Sequence, residues 1–177
     1  MIASRLVTPS LACRKRSHEA MLDLYEELSG LVKAIENHRI DYALCGGIAM
    51  AIHGRPRATV DIDLLIAADS LDELIEISKT LGYTIRGSDL TFANDAIEIR
   101  RVSKIDKDTG IVLSLDFLLI TPQIQHIWDS RVQANWEGGK LSVVSREGLI
   151  ALKKLSGRPQ DLADLSALLE DSNDATN

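Results

Sequence analysis

Two aspartates, Asp61 and Asp63, interrupt a run in which Val60, Ile62, Leu64 and Ile66 alternate with them. That alternation predicts a strand over 59–66, and residues two apart on a strand project from one face, so both carboxylates share it. A third acid, Asp116, stands alone in IVLSLDFLLI, where Leu115 and Phe117 face the other way. Three carboxylates gathered by neighbouring strands could hold two magnesium ions over a triphosphate. Hard divalent cations prefer oxygen ligands, and paired ions about 3.5–4 Å apart stabilise the attacking and leaving oxygens of an in-line displacement. Gly46-Gly47, between the apolar segment 42–45 and a helix ending near His53, would let backbone N–H groups approach phosphate oxygens.

The Asp-x-Asp spacing carries little weight by itself. With 16 aspartates in 177 residues, composition alone supplies about one or two such triplets. A second one, Asp106/Asp108, lies in the segment DKDTG. It has no further ligands at calcium-loop spacing and reads as a solvated turn. Asp61 and Asp63 differ because like charges beside a core cost free energy unless a cation or basic group compensates them. Burying the four flanking aliphatics, worth roughly 1.5–3 kcal/mol each, fixes the face the aspartates occupy.

The elements that must position these groups follow from periodicity and punctuation. Met21, Leu22, Leu24, Tyr25, Leu28, Leu31, Val32 and Ile35 recur at helical steps, predicting a helix over 17–38. Ser70 is placed to cap an amphipathic helix that stops at Gly82. Strands are predicted over 83–86, 90–93, 97–105 and 111–120, and Pro122 opens a short helix to about Ser130. A hairpin over 132–144 turns at Gly138-Gly139, and Ser145 caps two closing helices broken near Gly157-Arg158-Pro159. The segment after Glu170 reads as frayed.

Composition narrows the function classes. Aromatics at 4% leave few platforms for stacking single-stranded bases. A net charge of −6 argues against tracking a phosphate backbone non-specifically. Cys13 and Cys45 encode neither a zinc site nor a disulfide framework, which fits a reducing cytoplasm. No apolar stretch is long enough to span a membrane. In residues 1–16, Thr8, Pro9 and Ser10 break the apolar run and Arg14, Lys15 and Arg16 follow it, so this segment reads as a flexible tail and not a signal. Residues 17–177 then make one domain, with a sheet region over about 41–120 and a helical portion over about 122–170.

The run YALCGGIAMAIHGRPRATVDIDLLI closely resembles the active-site segment of the nucleotidyltransferase (polymerase-beta-like) superfamily, specifically the small bacterial branch related to AbiEii-type toxins. Leu115-Asp116-Phe117 matches its third-carboxylate strand. GLIALKKLSGRPQDLADLSALL is similar to that branch, with Lys153, Arg158, Asp161 and Asp164 at its spacings. The resemblance covers about residues 38–170. It implies an α+β nucleotidyltransferase fold, a mixed β-sheet flanked by helices with a small, mainly helical C-terminal portion. It also implies that Asp61, Asp63 and Asp116 bind Mg2+ or Mn2+ and carry catalysis, with Asp116 helping to activate the acceptor hydroxyl, and that Gly46 and Gly47 cradle the triphosphate. Many superfamily members carry Ser after the first glycine, whereas Gly47 and Ile48 stand here, which leaves that role to backbone amides.

The expected activity is transfer of a nucleoside monophosphate from a nucleoside triphosphate to a small molecule, RNA or protein, with release of pyrophosphate. The alternatives are a toxin with an antitoxin partner, using the same chemistry on RNA, and a non-catalytic nucleotide-binding module. Arg57, four residues before Asp61, could reach phosphate or pair with the carboxylates when metal is absent. Lys153 could neutralise the triphosphate, whereas Lys154, about 100° away around its helix, faces solvent. Arg158, Asp161 and Asp164 have a sufficient structural role in closing the helical hairpin through caps and ion pairs. His53 reads as a cap or surface contact, His18, His38 and His126 lack ligand spacing, and Cys45 behaves as a small apolar residue.

Overall fold

Leu28, Leu31, Val32 and Ile35 form the buried stripe of the first helix, α1 (Leu11–Asn37). In the computed structural model the described residues are 11–174 apart from Asp108 and Gly138, with side chains described over 24–170. The helix begins at Leu11 and not at Ser17 as the sequence pattern predicts. Leu11, Ala12, Arg14, Lys15 and Arg16 are all favourable helix formers, so the basic run belongs to the helix. Residues 1–10 of the expected tail lie outside the described residues.

After a left-handed turn at Arg39, the chain enters β1 (Tyr42–Leu44), α2 (Gly46–Ile52) and β2 (Asp61–Ile66). A 3-10 turn at Ala68–Ser70 leads into α3 (Leu71–Thr80). Ser70 does not cap α3 with its side chain, because it sits within that turn and its hydroxyl reaches Asp69 instead. Next come β3 (Ile85–Arg86), β4 (Leu90–Phe92), β5 (Ile97–Ile105) and β6 (Val112–Leu119). The chain closes with α4 (Gln125–Asp129), the hairpin β7 (Val132–Trp136) and β8 (Gly139–Val143), α5 (Arg146–Ser156) and α6 (Pro159–Asp174). The Ser145 hydroxyl accepts from the Gly148 amide and caps α5 as predicted. Gly157, at φ +62°, ends α5, and Pro159, which needs no amide partner in a first turn, starts α6.

Eight strands form one mixed sheet in the order β3-β5-β6-β2-β1-β8-β7, with β4 also paired to β5. β2 pairs β6 in parallel and β5 pairs β6 antiparallel, so Arg101, Asp116 and Asp63 line up as successive cross-strand neighbours. Alternation then sorts the faces. Val102, Leu115 and Ile62 form the adjacent row on the opposite side, where Lys104 reaches Glu27 of α1. On the aspartate face α5 supplies Leu149 and Leu152 over Ile97, Ile99 and Leu118. The arrangement is α+β, a mixed sheet with flanking helices, as the sequence predicts.

Candidate active site

The Asp63 carboxylate lies where only glycine leaves room. Gly46 opens α2 at φ +60°, and a Cβ placed there would fall 1.8 Å from Asp63 Oδ2. Backbone conformation and close approach both demand glycine at this position. The Cys45 amide donates to the Asp63 carbonyl over 2.9 Å, locking β1 to β2 just before the turn. Gly47 is buried, and a Cβ on it would meet Thr59 Cβ at 2.8 Å, so a glycine here also lets α2 pack against the approach to β2.

Asp61, Asp63 and Asp116 form the carboxylate floor of an open cleft of about 610 Å³, solvent included. Removal from bulk water raises the Asp63 carboxyl to about 6, with the facing charges of Asp116 and Asp61 adding to the rise and Arg158 and Lys153 opposing it. Asp116 is buried, and both its oxygens accept from Arg101, Nε to Oδ1 and Nη2 to Oδ2, each at 2.6 Å. Arg101 is the residue that sequence reasoning missed. Its only signal was position in β5, in register with Asp116, and an Arg100-Arg101 pair does not reveal which member faces the acids. Among the described residues no three His, Cys, Asp or Glu side chains converge as a ready-made metal site; Asp116 is turned onto Arg101.

The facing wall comes from the α5–α6 hairpin. Lys153 is buried and donates to Asp164 at 2.5 Å and Asp161 at 3.3 Å, while Lys154 is exposed, as helical geometry predicts. Arg57 donates through Nε to both Asp164 oxygens, at 2.9 and 3.1 Å. It thus pairs with the helical acid and not with Asp61, Asp63 or Asp116. Arg158 holds Asp161 at 2.8 Å, and Gln160 donates to Asp164 at 3.1 Å. Burial pushes the Asp161 carboxyl up, but the Arg158 hydrogen bonds and the charges of Arg158 and Lys153 outweigh it and hold the group at about 2. Asp164 is lowered in the same way, burial being outweighed by Lys153, Gln160 and Arg57. Arg57, Lys153, Arg158 and Gln160 all line the cleft beside the three floor acids. An adjoining pocket, lined by Phe92, Ile97, Ile99, Leu118, Leu149 and Leu152, shares Gly46, Asp63, Lys153 and Arg158 with it.

The remaining candidates have local roles. His53 ends α2, and its Nε2 lies 2.9 Å from the Val144 carbonyl. His38 contacts the Ala34 carbonyl through Nδ1. Cys45 is buried, and burial together with Asp63 and Asp116 pushes its thiol well above the ordinary value, as expected of an apolar filler. Asp106 accepts from the Thr109 amide and hydroxyl, which is a turn role; Asp108 lies outside the described residues.

A family model described as "Nucleotidyl transferase AbiEii toxin, Type IV TA system" matches residues 28–177. The chain belongs to the AbiEii nucleotidyl transferase family. This AbiEii-family nucleotidyltransferase matches no curated protein sequence. Its fold is similar to that of the antibiotic-resistance factor ANT(2″)-Ia, at 16% identity and a TM-score of 0.57 over 82% of each chain. It is also similar to lincomycin-bound LnuA, a lincosamide antibiotic adenylyltransferase, at 17% identity and a TM-score of 0.52 over 81% of this chain and 94% of that one. A Thermotoga maritima protein, whose own assignment as a nucleotidyltransferase is provisional, aligns at 14% identity and a TM-score of 0.53 over 89% and 95%. These likenesses speak to the fold. Within the family match lie the floor acids Asp61, Asp63 and Asp116 and the wall cations Arg57, Lys153 and Arg158. No described helix is long and apolar enough to cross a membrane.

Proposed function

We propose that this protein transfers a nucleoside monophosphate from a nucleoside triphosphate to an acceptor hydroxyl, releasing pyrophosphate and using a divalent cation. The observation that carries this reading is the distribution of charge across one cleft: Asp61, Asp63 and Asp116 on the sheet with Arg101 beside Asp116, and Arg57, Lys153 and Arg158 facing them. A cation-bound triphosphate has the complementary arrangement. The floor supplies only carboxylate oxygens, the donor set that Mg2+ and Mn2+ favour. Burial first, and the charges of Asp116 and Asp61 after it, raise the Asp63 carboxyl, and a cation would relieve both. Asp61, Asp63 and Asp116 would hold the ion, which when bound stabilises charge on the attacking and leaving oxygens.

The chain's own groups divide the remaining work. Lys153 carries three N–H donors, and Asp161 and Asp164 take two of them, so a third remains for a phosphate oxygen from a fixed position. Arg57 and Arg158 add positive charge on the same side. Gly46 keeps the backbone bare, so the Asp63 carboxylate can lie against the start of α2. Asp116 accepts the acceptor's proton once its oxygens are available.

The acceptor is a small molecule, RNA or protein. The family description names a toxin of a toxin–antitoxin system, and with it we propose an antitoxin partner and, as one acceptor open to the same chemistry, RNA. The net charge of −6 then requires a local contact, because an acidic protein does not track a phosphate backbone. A cytoplasmic location would supply the triphosphate this reaction needs.

The test is incubation of the protein with each α-labelled triphosphate, Mg2+ or Mn2+, and cell extract resolved into RNA, protein and small-molecule fractions. We expect label in one fraction with pyrophosphate release. Asp63→Asn and Asp116→Asn should each lower transfer by about 10²-fold or more. Binding of the triphosphate without transfer to any fraction would overturn the enzymatic reading in favour of a nucleotide-binding module.

A further inference from the structure

Of the four cations lining the cleft, only Arg101 pairs with a floor carboxylate; Arg57, Lys153 and Arg158 pair with Asp161 and Asp164. Its two-pronged grip uses both Asp116 oxygens at 2.6 Å, the geometry in which guanidinium–carboxylate pairs are strongest. Its side chain is 37% exposed against 5% for Asp116, so the guanidinium sits at the rim while the acid lies beneath it. The stem is tightly seated. Gly87 donates its amide to the Arg101 carbonyl at 2.9 Å, and a Cβ on Gly87 would meet Arg101 Cβ at 2.9 Å. Beyond that stem lie rotatable bonds leading to solvent.

We infer that Arg101 is a positioning residue that holds Asp116 in the metal-free protein and is displaced when Asp116 takes up a divalent cation, so that Arg101 sets the cation affinity of the site. The inference rests on the proposed cation role of Asp116. Two of the four lone-pair directions of a carboxylate stay open in a two-pronged pair, but a positive charge so close repels an incoming cation. The ion therefore replaces the guanidinium at Asp116. Displacement needs only rotation of the Arg101 side chain, since register fixes the backbone of β5 against β6.

The test is titration of the full-length protein with Mn2+, followed by electron paramagnetic resonance, with circular dichroism to verify folding. Arg101→Gln should bind Mn2+ at least about tenfold more tightly, in line with the loss of competing charge-assisted hydrogen bonds. Arg101→Lys keeps the charge but loses the fork, and should bind at least about threefold more tightly. Should the glutamine variant fail to fold, the lysine variant carries the test. Arg100→Gln should bind as the unmodified protein does, because Arg100 pairs with Glu98 and Asp89 on the other side of the strand. Mn2+ affinity that is unchanged or weakened in folded Arg101 variants overturns the inference and makes Arg101 a structural partner only. An unchanged Arg101→Lys beside a tighter Arg101→Gln also overturns it, in favour of a long-range charge effect. Failure of the unmodified protein and both Arg101 variants to bind Mn2+ at millimolar concentration removes the cation site, and with it both this inference and the cation in the proposed reaction.

Discussion

The two walls of the cleft contain the same kinds of side chain and have resolved their electrostatics in opposite ways. On the helical wall, Asp161 and Asp164 meet Arg57, Lys153 and Arg158, two acids against three bases. On the sheet wall, Asp61, Asp63 and Asp116 have Arg101 as the cation beside them, three against one. On the helical wall the basic partners outweigh burial and hold Asp161 at about 2, whereas on the sheet wall burial, joined by Asp116 and Asp61, raises Asp63 to about 6. Folding satisfies the first cluster within itself, and it leaves the second short of positive charge. Such a shortfall costs stability and persists where a ligand supplies the missing charge. The helical wall is scaffold and counter-charge together, and the sheet wall is where the proposed cation would sit.

The sharpest way to break this contrast is to remove Lys153. Its amino group and both its partners are nine-tenths or more buried, and removing one member of a buried pair leaves uncompensated charge at about 3–5 kcal/mol. Lys153→Ala should therefore lower the melting temperature by about 6–20 °C in a chain of this size. It should weaken triphosphate binding more than monophosphate binding. Lys154→Ala, at an exposed position, should stay within about 0.5 kcal/mol and alter neither affinity. Equal behaviour of the two variants in thermal melts and nucleotide titrations would show that the helical wall is not organised around Lys153.

A smaller effect tests the sign of the contrast. Neutralising one acid on each wall should move stability in opposite directions without metal. Asp161→Asn removes the carboxylate that Lys153 and Arg158 favour, and should destabilise by about 2 kcal/mol. Asp63→Asn removes a buried charge that Asp116 and Asp61 also oppose and should stabilise at pH 7 by about 3 kcal/mol, while lowering transfer by about 10²-fold or more. Denaturant melts in EDTA measure both. If Asp63→Asn destabilises as Asp161→Asn does, the sheet wall holds no unmet charge.

What the sequence reveals and what it hides follow the same division. Asp61, Asp63 and Asp116 were legible because each interrupts an aliphatic strand, where an acid has no local reason to be. Lys153 could be told from Lys154 because helical geometry separates adjacent positions. The closing hairpin was legible from Gly157 and Pro159. The pairing of Arg57 with Asp164 was not, since 107 residues separate them and only tertiary packing joins them. The grip of Arg101 on Asp116 depends on strand register, which no local pattern in β5 specifies. The start of α1 was misplaced because a basic run reads equally as a solvated tail or as a helix of good formers.

The smallest expected effect is a pH dependence that should differ between the walls. A carboxyl raised on folding binds more protons in the native state than in the unfolded one between its two pKa values, so stability falls as pH rises through that window. For Asp63 the window runs from the ordinary value of 3.8 to about 6. The charges that act on it are Asp61 and Asp116 from the sheet and Lys153 and Arg158 from the helical wall. Lowering the pH from 7 to 5 in EDTA should therefore gain about 1 kcal/mol from this group, or about 2–4 °C in melting temperature. Asp161 has the opposite sign. Its carboxyl is depressed from 3.8 to about 2, so its stabilisation is complete above pH 4 and is lost as the pH falls towards 2. Subtracting the melting profile of Asp63→Asn from that of the unmodified protein isolates the first limb, and subtraction of Asp161→Asn isolates the second. Saturating Mg2+ should abolish the first limb and leave the second intact, because a cation on the sheet wall stabilises the ionised Asp63 and leaves Asp161 with its own partners. A first limb that survives Mg2+, or one that appears equally in Asp63→Asn, would mean that the charge shortfall lies elsewhere than on Asp63.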